Sequence, residues 1–189
     1  MKELGLKSKL VLTAAVLTIV WESAACGPLK KQEADKDSSF ISYHVYHFFH
    51  SVEGISRNVL CDAETDSSTH TIAIVSAEAG VNTFKSGNEA RDESAMKAVD
   101  SDKYPEVTFQ SDSIFFDSDT TARVKGKLMF HGVSNPVTIP ITIKFRTGEM
   151  IVDGIINLNF DSFNVKRPAL VFIPIGDDFT VAFHFSFHR

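Results

Sequence analysis

Apolar and polar residues alternate with a period of two through much of the chain beyond residue 39. Between positions 122 and 131, Ala122, Val124, Gly126, Leu128 and Phe130 alternate with Arg123, Lys125, Lys127, Met129 and His131. One face is apolar and the other wet, the pattern of a half-buried strand. Val137, Ile139, Ile141, Ile143 and Phe145 repeat the pattern against Thr138, Pro140, Thr142 and Lys144, and the intervening HGVSNP predicts a hairpin. A third apolar face holds Val152, Gly154, Ile156, Leu158 and Phe160, after a turn at Thr147, Gly148 and Glu149. A fourth holds Val181, Phe183, Phe185 and Phe187. Less regular strands are predicted at 40–49, 56–62, 69–79, 106–116 and 169–175, for a total of eight or nine. On this reading the apolar members face inward, while Arg123, Lys125, Lys127, His184 and His188 face solvent; a slip of one residue would invert every face.

The period changes once. In SGNEARDESAMKAVDSDKYP (Ser86 to Pro105), Ala90, Glu93, Met96 and Lys97 fit a short helical excursion near residues 88–99, which Tyr104-Pro105 ends. It is too short to cover a sheet by itself. Because no helices alternate with the strands, a parallel sheet is excluded, and many short antiparallel strands with one apolar face each predict an all-β sandwich or barrel.

The first residues do not belong to this pattern. Lys2, Lys7 and Lys9 precede the apolar run Leu10 to Trp21, which leads through ESAA to Cys26. This is the layout of an export signal, and the run is shorter than the roughly 20 residues of a membrane-spanning helix. Ser23 and Ala25 are small residues placed for cleavage before Cys26, and small-small-Cys resembles a bacterial lipobox. The expected organisation is a signal peptide over 1–25, a tether over 26–38 attached through a lipidated Cys26, and a domain over 39–189. Cys61 is then the only other cysteine, so no internal disulfide is expected.

A formal net charge of −5 argues against nucleic acid as a partner. The Phe content is unusual: 16 Phe stand against one Trp and three Tyr, and all the Phe follow residue 39. His44, His47 and His50 are spaced by three, which on a strand throws His47 to the face opposite the other two and defeats a shared metal site. Asp161, Asp177 and Asp178 lie near turns without EF-hand spacing. Neither a nucleophile elbow, a phosphate-binding loop nor a dinucleotide fingerprint occurs, so nothing in the sequence points to an enzyme. A barrel of about eight strands is either filled by its own side chains or open to one small ligand, and Phe and Ile line both kinds of interior.

VNTFKSGNEARDESAMKAVDSDKYPEVTFQSDSI (Val81 to Ile114) resembles the signature of the YceI-like family of exported bacterial proteins, through Ser86, Gly87, Asn88, Arg91, Asp92, Lys103, Tyr104, Pro105, Thr108 and Phe109. GKLMFHGVSNPVTIPI is similar to the family hairpin through His131, Gly132, Val133, Pro136 and Val137, and HVYHFFHSVEG matches at His47, Val52 and Gly54. Ser94-Ala95 replaces a family His-Leu. The resemblance implies a lipocalin-like antiparallel β-barrel of about eight strands whose apolar cavity takes a polyisoprenoid-type lipid, with no cofactor and no metal. The expected lining is Val45, Phe109, Val124, Leu128, Phe130, Ile139, Ile141, Ile143, Phe145, Ile156, Leu158, Phe160, Phe183 and Phe185, with head-group selectivity from polar residues at the mouth. The implied setting is the periplasm or outer membrane of a bacterium, with the membrane reached through Cys26 and a homodimer among the assemblies allowed. The alternative is an envelope structural or interaction protein with a filled barrel and no ligand.

Overall fold

The regular alternation of small and branched apolar residues folds into long antiparallel strands. The computed structural model describes residues 29–46, 51–66, 71–167, 169–170, 173–174 and 176–188. The strands are β1 (Leu29–Glu33), β2 (Phe40–Tyr46), β3 (Ser51–Ser56), β4 (Val59–Asp66), β5 (Thr71–Gly80), β6 (Glu106–Ser118), β7 (Thr121–Phe130), β8 (Val133–Arg146), β9 (Glu149–Asn159), β10 (Ala169–Leu170), β11 (Ile173–Pro174) and β12 (Asp178–His188), with one helix, α1 (Glu89–Ala98). Ten strands form a single curled sheet in the order β1-β4-β5-β6-β7-β8-β9-β12-β2-β3, and β10 and β11 pair separately. Among the described residues the architecture is an all-β half-barrel with one α-helix.

The strand count exceeds the expected eight for two reasons. Ser51–Ser56, of which only Ser56 fell within an expected strand, forms β3, and the strand expected over 56–62 begins at Val59 as β4. In addition, Leu29–Glu33, expected as part of a tether, pairs with β4 from Leu29 opposite Asp66 to Glu33 opposite Asp62. Its sequence, LKKQE, has no apolar period, and its Lys-rich character suits an edge strand that must resist further pairing.

Two sets of bonds draw the ends of the curl together. After β1, Ala34 N donates to Cys61 O of β4 (2.8 Å) and Asp35 N to Ser186 O of β12 (2.7 Å), while Ser186 N donates to Ser39 Oγ (3.1 Å). On β3, Ile55 exchanges both backbone bonds with Lys85 (2.9 and 3.0 Å). Segment 34–39 thus takes over from β2 along the edge of β12, and Ser186 is buried there with its hydroxyl donating to Glu149 Oε1 (2.7 Å).

The hairpin between β7 and β8 turns on His131 and Gly132, both at positive φ (50° and 73°), the geometry of a type I′ turn. The core divides into two clusters. The larger joins β4, β5, β7, β8, β9 and β12 around Val124, Ile139, Ile141, Ile143, Met150 and Phe185. The smaller collects Phe160, Phe163, Val165 and Phe179, with Val45, Leu128, Phe130 and Leu158 packed against it.

Candidate functional site

An apolar cavity of ≈ 260 Å³ lies inside the curl, bordered by residues of both core clusters. The strands reach it through their alternate positions. From the centre of the sheet come Phe109, Val124, Leu128, Phe130, Ile139 and Ile141; from the neighbouring strands come Ile156, Leu158, Phe160, Phe183, Phe185 and Val45. Two other expected lining residues lie elsewhere. Ile143 does not border the cavity and is packed with Met150 and Phe187 in the core. Phe145 lies on β8 one pair from its turn into β9, opposite Met150, and is 53% exposed. Its register is inward, but at the rim of the sheet that register leads to water.

Sequence periodicity did not single out several lining groups. Ala95, Met96, Ala98 and Val99 bring α1 and its C-terminal end over the cavity. The helix starts at Asn88, whose side chain accepts a bond from Arg91 N (3.0 Å). Phe84 and Phe179 add rings beside Phe187, the last member of the fourth apolar face, and Cys61 lies on the inner face between Val59 and Ala63. Burial pushes the Cys61 thiol up to about 12. Among the described residues, polar lining is limited to Tyr43, Cys61, Glu78 and Thr108. Burial, reinforced by the negative charge of Asp92, raises the Tyr43 phenol above its ordinary value, so the group is neutral at physiological pH.

Three rings lie flat on the wall because the facing strand offers no side chain. A Cβ added to Gly54 would sit 2.4 Å from the Tyr43 ring, at Gly126 2.7 Å from Phe109, and at Gly154 2.2 Å from Phe183. Each ring therefore covers backbone instead of projecting into the lumen.

The outward faces are charged, as the alternation requires. Arg123 pairs with Asp117 (2.8 Å), and Lys125 Nζ sits 5.0 Å from the centroid of Phe115. His184 is half-buried on the outer face, stacked on Phe40 with Nδ1 2.7 Å from Asp153 Oδ1; His188 is exposed beside Asp35. Partial burial works to raise the Asp153 carboxyl, but hydrogen bonds from His184 and Lys144, with their charges, outweigh it and hold the group below the usual carboxylate range. His44 Nε2 meets Glu53 Oε1 at 3.1 Å, whereas His47 and His50 lie outside the described residues. Among the described residues no group of three or more His, Cys, Asp or Glu is placed to hold a metal ion. Asp177 and Asp178 both accept bonds from Asn159 Nδ2.

This curled sheet, crossed by one helix and enclosing an apolar chamber, has relatives. Residues 33–187 match the family profile of the YceI-like domain. The chain belongs to the YceI-like family. A UPF0312 protein of Pseudomonas putida is 26% identical to this YceI-like chain over 171 residues, spanning 85% of it and 89% of the relative. A UPF0312 protein of Pseudomonas savastanoi pv. phaseolicola is 32% identical over 84 residues, 40% of this chain and 42% of its own. Among solved structures, Burkholderia cenocepacia BcnA aligns at a TM-score of 0.72 with 22% identity, covering 81% of this chain and 98% of BcnA. A polyisoprenoid binding domain from Saccharophagus degradans, implicated in plant cell wall breakdown, aligns at 0.67 with 10% identity over 86% of this chain and 99% of its own. These structural likenesses show the fold.

In the YceI-like chain, the motif residues assemble the helix and its neighbours. Ser86 N donates to Asp92 Oδ1 (3.0 Å), and Arg91 grips Ser86 through Nε to Oγ (2.8 Å) and Nη2 to the carbonyl (2.7 Å). Tyr104 packs on His131 with ring centroids 4.5 Å apart, and its ring lies where a Cβ on Gly132 would project, at 2.5 Å. His131 Nδ1 is 3.0 Å from Phe163 O, tying the β7-β8 turn to the smaller core cluster. The polar motif residues fix the helix and the turn, while Thr108 and Phe109 of the same motif border the chamber.

Proposed function

We propose that this YceI-like protein is exported, is held at a membrane by an acylated Cys26, and binds a polyisoprenoid or similar long apolar lipid in its chamber for transport or storage, without catalysis. The observation that carries this reading is an interior of ≈ 260 Å³ bordered almost wholly by hydrocarbon side chains. An apolar cavity of about 150 Å³ already stays dry and takes benzene, so a larger one of the same character favours a hydrocarbon over water. Removal of apolar surface from water is worth roughly 25 cal/mol per Å², enough for tight binding without a polar contact once ordering costs are met. Family membership and the name of the Saccharophagus relative support the choice of lipid class. The open chamber of ≈ 260 Å³ favours this reading over a side-chain-filled barrel acting only as an interaction module.

Native mass spectrometry of protein extracted gently from its host tests the ligand: a co-purifying apolar mass is expected, and a clean ligand-free mass that takes up no added polyprenol refutes it. Cell fractionation tests the anchor. Wild type is expected with membranes and Cys26→Ser in the soluble fraction; a soluble wild type with no acyl mass refutes the lipidation.

A further inference from the structure

The wall of the chamber is not hydrogen-bonded throughout. Pairing between β5 and β6 runs from Gly80 opposite Glu106 to Ser76 opposite Gln110 and stops there. Both strands continue: β5 extends back to Thr71 on its β4 partner, and β6 extends on to Ser118 on its β7 partner. The ladder therefore forks. At the fork, the Ser111 hydroxyl accepts a bond from Val75 N at 2.8 Å, in place of a backbone carbonyl, and β6 shifts register between Ser111 and Ser113.

Beyond the fork the wall consists of side chains. Ile72 and Val75 from β5 and Ile114 and Phe116 from β6 all border the cavity. Phe116 shows what the missing ladder does. It stands opposite Ala122, which is inward-facing and 2% exposed, yet Phe116 itself is 45% exposed because β5 does not run beside it. Elsewhere in the paired wall an opening wide enough for a hydrocarbon chain would have to break consecutive backbone hydrogen bonds, whereas here it needs only side-chain rotation.

We propose that the fork between β5 and β6 is the doorway through which a long apolar chain enters and leaves the chamber, with Phe116 as its movable door. The inference rests on the lipid-binding reading above and adds the route and the residues that set the rates. The chemistry of the frame fits a flexible hydrocarbon threaded end first, because its four inner residues are all apolar and its outer rim carries the exposed Phe115 ring beneath Lys125.

The doorway can be locked from outside. Ile74 and Ser113 stand on the outer face of the fork, since their cross-strand partners Glu64 and Lys125 are outward. Ile74→Cys with Ser113→Cys, in a Cys26→Ser background, is bridged by a short bismaleimide, and the buried Cys61 thiol does not compete. The probe is the anthraniloyl ester of geranylgeraniol, followed by stopped-flow fluorescence, with each single-cysteine variant treated alike as control. Bridging empty protein is expected to slow uptake about tenfold, and bridging loaded protein to slow release by the same factor, with equilibrium affinity unchanged. Phe116→Ala, which needs no cross-link, is expected to raise the uptake rate about threefold. Wild-type rates in the bridged protein, or a Phe116→Ala variant that changes affinity but not uptake, overturn the doorway. Absence of probe binding by the unbridged protein overturns the lipid-binding reading and the doorway with it.

Discussion

Ile141→Trp separates a ligand chamber from a filled core. Ile141 borders the cavity, and its cross-strand neighbours are Ala122 on β7 and Gly154 on β9, one with a methyl group and the other with no side chain. In a close-packed core the extra bulk of an indole would cost about 1–3 kcal/mol or more. Here it has ≈ 260 Å³ ahead of it, so the ligand-free domain should stay within about 1 kcal/mol of wild type, below that overpacking cost. The ligand should suffer instead. Displacing one five-carbon unit forfeits up to about 4 kcal/mol at 0.8 kcal/mol per methylene-sized group, and sliding of the chain recovers part of that. A loss of at least about 1.4 kcal/mol, or tenfold in affinity, remains. Because the only Trp of the chain is Trp21 in the segment expected to be removed, the new indole in protein lacking residues 1–25 also reports its own surroundings. Urea melts give the stability, and a polyprenol titration followed by indole emission gives the affinity. A stability loss above about 3 kcal/mol, with no polyprenol bound by wild type, would refute the chamber.

Other outcomes follow from single contacts. Gly154→Ala places a Cβ 2.2 Å from the Phe183 ring, so the ring must leave the wall; polyprenol affinity should fall with a stability loss of about 1–3 kcal/mol, and an unchanged affinity would show the ring had another refuge. Cys61, with its thiol pushed up to about 12, has about one thiolate in ten thousand at pH 8 and should react with maleimide only on unfolding; rapid labelling of native protein would count against its burial. Asp153 has a folded value below its unfolded one, so its stabilisation is present above the ordinary carboxylate range and is lost as pH falls through the folded value. Asp153→Asn should therefore be less stable than wild type at pH 7, with the difference vanishing in acid; a pH-independent difference would assign the effect to packing.

The parts of the fold legible in the sequence are those governed by alternation alone. β7 and β8 bury or half-bury alternate residues from Ala122 to Phe130 and from Val133 to Ile143, and that regularity points Val124, Leu128, Phe130, Ile139 and Ile141 at the cavity. Phe145 shows where the rule ends, because period two fixes which way a side chain points but not whether another strand stands opposite. β1 was invisible because an edge strand needs backbone partners more than an apolar face. The contribution of Met96 and Val99 was hidden because four small or apolar residues on a ten-residue helix give almost no periodic signal. The fork at Ser111 could not be seen at all, since hydrogen-bond ladders end without any change in alternation.

With an acylated Cys26, as proposed, the pairing of β1 would also decide how the molecule stands on a surface. A thirteen-residue tether would have let the domain wander several nanometres from an acylated Cys26. With Leu29 already fixed opposite Asp66, only three residue steps separate Cys26 from the sheet, a reach of about 10 Å at full extension. The leash is fastened at the end of β4, beside the start of β5. A protein so moored would not tumble freely: it would present the β4-β5 end to the headgroups, and Ile72 lies one residue into the strand that begins there. An acyl chain at residue 26 would then act as an orienting device as well as an anchor, turning one chosen flank of the sheet towards the bilayer.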